Sequence, residues 1–146
     1  MRGTDMKILV SACLLGVKCR YDGKEKANPD VLKLAEKHTL IPFCPEIYGG
    51  LATPRDPAEI KDGRVVTSTG RDVTAEYEKG AAEALKTARL LGCECALLQD
   101  RSPSCGAGIV HNGLFDGGLT EGDGVTAALL KAAGLRVLPA SRAEDI

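Results

Sequence analysis

The sequence lacks tryptophan and has few other aromatic residues, with two phenylalanines and three tyrosines among 146 residues. Nucleic-acid bases would therefore find few side chains on which to stack. An excess of either charge is also missing, because 19 basic residues are balanced by 20 acidic ones and the formal net charge is −1. Since nucleic acids and anionic membranes attract strongly basic proteins, this composition gives no strong nucleic-acid footprint.

Long apolar runs are missing as well. No run approaches the roughly 20 residues that a membrane helix requires, so no membrane partner is expected. The segment 1–6 lacks the apolar core of a signal peptide, and Met6 is a second candidate initiator. We therefore expect residues 1–5 to form a disordered leader and the protein to be cytoplasmic.

Cysteine, by contrast, is frequent. The six cysteines are Cys13, Cys19, Cys44, Cys93, Cys95 and Cys105. A chain of this length buries roughly 68–70% of its unfolded surface, so it can build a core without disulfide bonds. Because thiols stay reduced in the cytosol, these cysteines indicate metal binding or catalysis before a disulfide framework.

Apolar segments of strand length alternate with segments of helical periodicity. Strands are predicted over residues 7–11, 40–44, 95–99 and 135–139, and helices over about 29–38, 75–91 and 124–133. Thr74 is the predicted cap of the longest helix, and a capping box at 141–144 predicts the start of a last one. Residues 59–67 predict a small hairpin, 109–110 a short extra strand, and 45–57 an irregular loop.

This alternation predicts a single α/β domain over residues 1–146, with the three layers of a Rossmann or flavodoxin-like fold. Right-handed crossovers between parallel strands favour a four-stranded sheet in the order 2-1-3-4. Pro42 has no amide hydrogen to donate to a sheet, so strand 2 is expected at an edge, in agreement with this order.

Three cysteines lie at or just beyond the carboxyl ends of neighbouring predicted strands: Cys13, Cys44 and Cys105. Because adjacent strands are about 4.8 Å apart, these thiols are expected to converge at one rim of the sheet. Three thiolates leave one coordination position open, and thiolate-only ligation suits an iron–sulfur cluster or zinc. The compact cysteine run of ferredoxins is missing, so the hypothesis depends on the predicted fold.

The other cysteines have different expected roles. Cys93 and Cys95 precede or begin the third strand, at the opposite end of the sheet, and are interpreted as small buried apolar side chains. Cys19 lies in the first loop and either reaches the rim or is a bystander.

Two polar residues stand close to these cysteines in sequence. Glu46 follows Cys44 by two residues, and Ser102 precedes Cys105 by three. A carboxylate near a substrate is a candidate proton shuttle, whereas a hydroxyl can orient water or substrate. The ordinary alternatives are a solvated loop charge for Glu46 and a turn residue for Ser102.

Four motifs, in series over nearly the whole chain, carry a family resemblance. They are Ser11–Gly16 with Arg20–Gly23, Cys44–Glu46 with Gly49–Leu51, Pro54–Arg55, and Ser102–Gly106. The chain thus resembles the thiouracil desulfidase family, also catalogued as domain of unknown function 523. The resemblance implies one α/β domain that holds a [4Fe–4S] cluster by Cys13, Cys44 and Cys105.

The implied activity is removal of sulfur from a small thiolated pyrimidine such as 4-thiouracil, without net redox change. The substrate sulfur would bind an iron that has no protein ligand, where it is polarised. By motif position, Glu46 matches an acid/base residue, and Ser102 matches a residue that orients substrate or water. Arg20 and Asp22 match residues that shape the pocket, although Arg20 could equally brace its loop.

Two other functions remain open from the residues alone. Low-molecular-weight phosphatases and arsenate reductases also place a cysteine loop after the first strand, but they need C-x₅-R, and Cys13 to Arg20 is one residue longer. A non-catalytic metal- or redox-sensing module would use Cys19 as a fourth ligand that closes the site. Many members of the resembled family have no cysteine at that position.

Overall fold

The computed structural model describes residues 5–146, so the predicted leader lies outside the described residues apart from Asp5. The strands are β1 (Lys7–Ser11), β2 (Thr39–Phe43), β3 (Ala58–Lys61), β4 (Arg64–Thr67), β5 (Cys95–Leu98), β6 (Ile109–His111), β7 (Leu119–Glu121) and β8 (Arg136–Pro139). The helices are α1 (Pro29–Lys33), α2 (Pro45–Tyr48), α3 (Thr74–Leu91) and α4 (Val125–Ala132). Short 3₁₀ turns cover Ala12–Leu15, Leu34–Glu36 and Ala140–Asp145.

Four of the strands form a parallel sheet in the order β2-β1-β5-β8. This is the predicted order, and β2 with its Pro42 lies at the edge as expected. In the centre of the sheet Leu9 is in register with Ile41 on one side and with Ala96 on the other. The prediction of an α/β fold with a four-stranded parallel sheet is therefore confirmed.

Both faces of the sheet are covered, because its central strands are apolar on both sides. Ile8 and Val10 pack in a cluster with Val31 of α1 and with the last 3₁₀ turn. Leu9 points to the other face, where its cluster includes Ala84 of α3 and Leu130 of α4. The molecule thus has three layers, and the loops at the carboxyl ends of the strands are left uncovered by the helices.

Several local predictions are wrong. The segment after β2 was expected to be irregular throughout, yet it begins with the short helix α2. The short strand predicted at 109–110 is confirmed as β6, but the sequence does not predict its hairpin partner β7, which carries no apolar alternation. Thr74 does not cap α3; it is the first helical residue, and its hydroxyl accepts a hydrogen bond from the Val65 amide at 2.8 Å.

Two further segments that were predicted as α-helix are wholly or partly 3₁₀ turns. The predicted helix over 29–38 is α-helical only through Lys33 and then tightens to a 3₁₀ turn. The predicted start of a last helix is the 3₁₀ turn Ala140–Asp145, whose Ser141 makes no capping contact. Within residues 5–146, no helix has both the length and the apolar character needed to cross a membrane.

Helix α2 lies very close to α3, and two glycines permit this contact. A Cβ on Gly80 would lie 1.9 Å from the Pro45 carbonyl oxygen, and one on Gly49 would lie 2.1 Å from the Glu76 carbonyl oxygen. A side chain at either position would force the helices apart. Because α2 follows Cys44 directly, this contact determines where Cys44 and Glu46 are placed.

Candidate active site

A cavity of about 370 Å³ lies at the carboxyl end of the parallel sheet. Its wall includes Cys13, Cys44 and Cys105, the three cysteines that the predicted strand order brings to one rim. Cys19 lines it as well, together with Glu46, Ser102 and Arg20. Cys93 and Cys95 are elsewhere and pack among apolar side chains, as expected.

Cys13, Cys44 and Cys105 each lie in a different kind of local structure. Cys13 lies in the 3₁₀ turn that follows β1, which ends at Gly16 in the left-handed conformation (φ 97°). Cys44 precedes α2 in an extended conformation, and its carbonyl oxygen accepts from the Tyr48 amide at 3.1 Å. Cys105 lies in the turn after β5, beyond Ser102 and Pro103. All of these positions follow the end of a parallel strand.

The turn that holds Cys105 is tightly packed against its surroundings. A Cβ on Gly106 would lie 2.8 Å from the Ser102 carbonyl oxygen, and one on Gly124 would lie 2.5 Å from that of Ser104. The Ser104 hydroxyl is fully buried and lies 2.8 Å from that of Thr126, at the start of α4. The position of Cys105 is therefore determined by α4 as well as by β5.

Burial and mutual contact disfavour the charged form of the Cys19, Cys44 and Cys105 thiols. Burial raises the pKa of Cys105 to about 12. A hydrogen bond with Cys13 is the main reason that the pKa of Cys19 rises to about 11, and one with Cys19 raises the pKa of Cys44 strongly. These thiols therefore keep their protons at neutral pH unless a metal cation displaces them.

The donor set fits an iron–sulfur cluster. All six cysteines are free thiols, and the three at the carboxyl ends of β1, β2 and β5 supply sulfur alone. Among residues 5–146, no three Cys, His, Asp or Glu side chains are grouped so as to hold one metal ion. Cys13, Cys44 and Cys105 instead line one cavity, which an iron–sulfur cluster bound by three thiolates would occupy.

Cys19 lies within the group rather than apart from it. Its thiol contacts those of Cys13 and Cys44, and its carbonyl oxygen lies 3.8 Å from the Cys44 Sγ. Of the two positions that the sequence left open, the structure supports the one at the rim. Whether Cys19 ligates a metal stays a prediction.

Glu46 is held through one of its two carboxylate oxygens. Its Oε1 accepts hydrogen bonds from Arg55 Nε at 3.1 Å and from the Tyr77 hydroxyl at 2.8 Å, and it lies 3.0 Å from Arg55 Nη2 in an ion pair. Arg55 also donates from Nη2 to the Cys19 carbonyl oxygen at 3.0 Å. Burial, and then the charge of Glu46, raise the pKa of Tyr77 strongly, so Tyr77 keeps the proton that it donates. Glu46 is therefore a fixed group and not a solvated loop charge.

The Ser102 hydroxyl has both of its acceptor sites in use. Its Oγ accepts from the amides of Ser104 and Cys105, each at 3.0 Å. A hydroxyl has two acceptor lone pairs and one donor hydrogen, so only the donor is left for a partner in the cavity. Ser102 is thus the turn residue of the simpler interpretation and also a directed hydrogen-bond donor.

Arg20 braces its own loop. Its Nη1 lies 3.6 Å from the Asp22 Oδ2, and its guanidinium lies 5.8 Å from the centre of the Tyr21 ring. Arg20 and Tyr21 also line the cavity, so the loop shapes one wall. Arg20 is thus held in an ion pair, and no observation favours the phosphatase-like alternative, in which an arginine closes around an oxyanion with Cys13.

Sequence reasoning missed three residues of this cavity. Arg55 was noticed only as part of a motif, and Tyr77 only as part of a helix. A tyrosine among the alanines on the buried face of α3 is the signal that could have singled it out. His111 also lines the cavity, and its Nδ1 is buried without a hydrogen-bond partner among the described residues.

Comparison with known proteins assigns the chain to a family. The 2-thiouracil desulfurase family model matches residues 8–141. The protein YbbK of Bacillus subtilis (strain 168) is 44% identical over 149 residues, a match that covers 95% of this chain and 99% of that protein. A solved structure, the [4Fe-4S]-dependent thiouracil desulfidase TudS, is similar with a TM-score of 0.88 at 44% identity, covering 96% of this chain and 94% of that one. The resemblance predicted from the motifs is confirmed: the chain belongs to the 2-thiouracil desulfurase family.

Proposed function

We propose that this protein is a [4Fe–4S]-dependent desulfidase that removes sulfur from thiolated pyrimidines such as 4-thiouracil. The observation that carries the proposal is the cavity itself, in which three free cysteines from three separate loops meet Glu46 and Ser102. Membership of the desulfurase family and the likeness to TudS support the same function. The overall reaction replaces C=S by C=O: one water is consumed, hydrogen sulfide is released, and no electron is transferred.

Cys13, Cys44 and Cys105 are the proposed ligands of the cluster. Each follows a strand of the parallel sheet, and no other cysteine of the described chain except Cys19 lines the cavity. When bound by three thiolates, such a cluster supplies a Lewis-acidic iron that can polarise the carbon–sulfur bond. The protein's own residues then have to orient the attacking water and transfer protons.

Glu46 is the proposed acid/base residue. The contacts that residues 5–146 make to it converge on Oε1, so Oε2 is the oxygen that can exchange a proton. Glu46 takes a proton from the water that attacks the ring carbon and returns a proton as sulfur departs. Arg55 and Tyr77 hold the carboxylate in place during both transfers.

Ser102 is the proposed orienting residue. Since its two acceptor sites are occupied by backbone amides, it acts on water or substrate only as a donor. A donor with a fixed direction stabilises negative charge that develops on an oxygen or ring nitrogen during the attack. Arg20 lines the cavity, and Asp22, which does not, is proposed to act through its ion pair with Arg20.

We also propose the finer assignments that accompany this function. The sheet order and the covered faces support a flavodoxin-like α/β domain over residues 1–146. A small thiolated base is the proposed substrate, and the cytoplasm is the proposed location.

Anaerobic purification tests the proposed cofactor and activity together. We expect a brown protein with about four irons and about four sulfides per chain, as in a cubane cluster. It should convert 4-thiouracil to uracil and sulfide. The loss of the thiocarbonyl absorbance measures this reaction. Each of the variants C13S, C44S and C105S should lose the iron, whereas the matched control C93S should keep it. A colourless or zinc-loaded protein with full turnover would contradict the proposal.

The contacts of Cys19 favour one second candidate, a closed metal site without turnover. In that case Cys19 is a fourth ligand next to Cys13 and Cys44. The variant C19S separates the two functions, with iron content and turnover measured on the same preparation. Loss of the iron would support the closed site, whereas iron retained together with activity would support the desulfidase.

A further inference from the structure

The loop between β6 and β7 contributes to the cavity but has no role in the proposed proton transfers. Phe115 and Gly117, both in this loop, line the cavity. Phe115 is 40% exposed as a residue, so its aromatic ring is not fully covered. A large apolar side chain that is partly exposed at the wall of the cavity can pack against a bound ligand.

A buried carboxylate from another hairpin holds this loop. Glu59 of β3 is only 8% exposed. Its Oε1 accepts from the Gly113 amide at 2.9 Å and from the Phe115 amide at 3.1 Å. A buried carboxylate is costly unless it is paired or well hydrogen-bonded, and these amides supply charge-assisted bonds. Glu59 therefore ties the backbone of Phe115 to the rigid part of the fold.

The backbone of Phe115 is strained. Its φ of 53° lies in the left-handed region, which bulky aromatic residues rarely adopt. Glycine would adopt this conformation without steric cost, and the loop already uses glycine with positive φ at Gly113 and Gly117. Strained residues of this kind persist where the surrounding structure over-determines them, and they cluster at ligand sites. The aromatic ring is thus held at this position in spite of its backbone.

The other aromatic side chains of the cavity wall are already engaged. Phe43 is stacked on Tyr48, with their ring centres 4.3 Å apart. The Tyr77 hydroxyl is bonded to Glu46, and the Arg20 guanidinium lies over the Tyr21 ring. Among the phenylalanine and tyrosine residues of this wall, Phe115 makes no ring, cation or side-chain hydrogen-bond contact with the described residues.

We propose that Phe115 is a binding residue that packs against the flat face of the thiolated pyrimidine ring, and that Glu59 is its positioning residue. This inference rests on the proposed function. Stacking of two aromatic rings would orient the ring so that its thiocarbonyl carbon is held next to Glu46 and Ser102. The contact is made equally before and during the reaction, so it contributes to substrate binding and not to the chemical step.

The variant F115G separates ring binding from structural support. We expect the Michaelis constant for 4-thiouracil to rise about tenfold while kcat changes less than about twofold, the signature of lost uniform binding. Iron content should be unchanged, and the melting temperature should stay equal or rise because glycine relieves the strain. F115Y should restore a low Michaelis constant. The matched control L114A alters a neighbouring exposed side chain and should leave the Michaelis constant unchanged.

Two variants test the role of Glu59. E59Q keeps an acceptor oxygen for both amides and should keep the Michaelis constant, whereas E59A should raise it to the level of F115G. In the double variant E59A/F115G, the Michaelis constant should be no higher than in F115G alone, because both changes remove the same contact. If E59A does not fold, the comparison of F115G with F115Y decides the proposal.

Failure of this inference differs from failure of the proposed function. An unchanged Michaelis constant in an active F115G enzyme would overturn the role of Phe115 and leave the desulfidase function intact. A wild-type protein with bound iron but no turnover of thiolated pyrimidines would overturn both, since the inference rests on that substrate.

Discussion

Replacement of Arg55 by alanine perturbs Glu46, the proposed acid/base residue, without changing Glu46 itself. Arg55 donates from Nε to Glu46 Oε1 and pairs with the same oxygen through Nη2. It also donates to the Cys19, Ala52 and Thr53 oxygens at 3.0–3.1 Å. The side chains of Arg55 and Glu46 are only 9% and 16% exposed, so water does little to replace the lost contacts. In R55A, the Tyr77 hydroxyl is left as the contact that holds the carboxylate.

The magnitude follows from these contacts. Breaking a buried ion pair by removing one partner costs about 3–5 kcal/mol. Since Tyr77 still donates to Glu46 and both side chains are slightly exposed, we expect the lower part of that range, about 3 kcal/mol of unfolding free energy. A displacement of about 1 Å in a reacting group can cost about 100-fold in rate, so kcat should fall by about that factor. R55K keeps the charge but loses the forked geometry and should be intermediate.

The assay is the initial rate of 4-thiouracil loss, divided by the iron content of each preparation. This correction is needed because Arg55 also contacts the Cys19 carbonyl oxygen, next to the proposed ligands. Urea unfolding measures the stability change on the same samples. The catalytic reference is E46Q, which should lower kcat by about 100-fold to 10,000-fold. An R55A enzyme with wild-type kcat per iron beside an inactive E46Q would refute the reasoning.

Three further predictions concern Ser102, the α2–α3 contact and the acid stability of the fold. S102A removes a fixed donor and should lower kcat per iron by about 100-fold, with S141A as the surface control in the same rate assay. G80A places a Cβ 1.9 Å from the Pro45 carbonyl oxygen, so in urea unfolding it should lose about 1–3 kcal/mol despite the better helix propensity of alanine; an equally stable G80A would contradict the close packing. Hydrogen bonds from the side chain and amide of Thr74 hold the pKa of Asp72 at about 2, against 3.8 when unperturbed. Because this pKa is lower in the folded state, Asp72 stabilises the fold fully above pH 3.8, and this contribution is lost as the pH falls through 2. The difference in melting temperature between the wild type and D72N should therefore shrink between these pH values.

The order of the sheet could be predicted because it depends on local patterns. The runs at β1 and β5 are apolar at successive positions, which indicates strands covered on both faces. Pro42 then excludes β2 from the centre, and right-handed crossovers leave few arrangements. The convergence of Cys13, Cys44 and Cys105 follows from that order, because parallel strands end at the same edge.

The second hairpin and the start of α2 could not be predicted, because their residues carry little apolar pattern. β7 is exposed at all three positions and forms because its backbone pairs with β6. Helix α2 is a single turn, too short to be stable alone, and its packing on α3 through Gly49 and Gly80 stabilises it. Such elements depend on contacts between residues far apart in the chain.

The sequence by itself determined the family, the sheet order and the position of Cys13, Cys44 and Cys105 at one end of the sheet, since these depend on spacing and on hydrophobic pattern. Only the tertiary structure decided how those residues are held. Arg55 meets Glu46 across nine residues and Tyr77 meets it across 31, while Glu59 reaches Phe115 across 56. Such contacts require the hairpins and α3 to be packed first, because a hydrogen bond forms only where distance and direction are both satisfied.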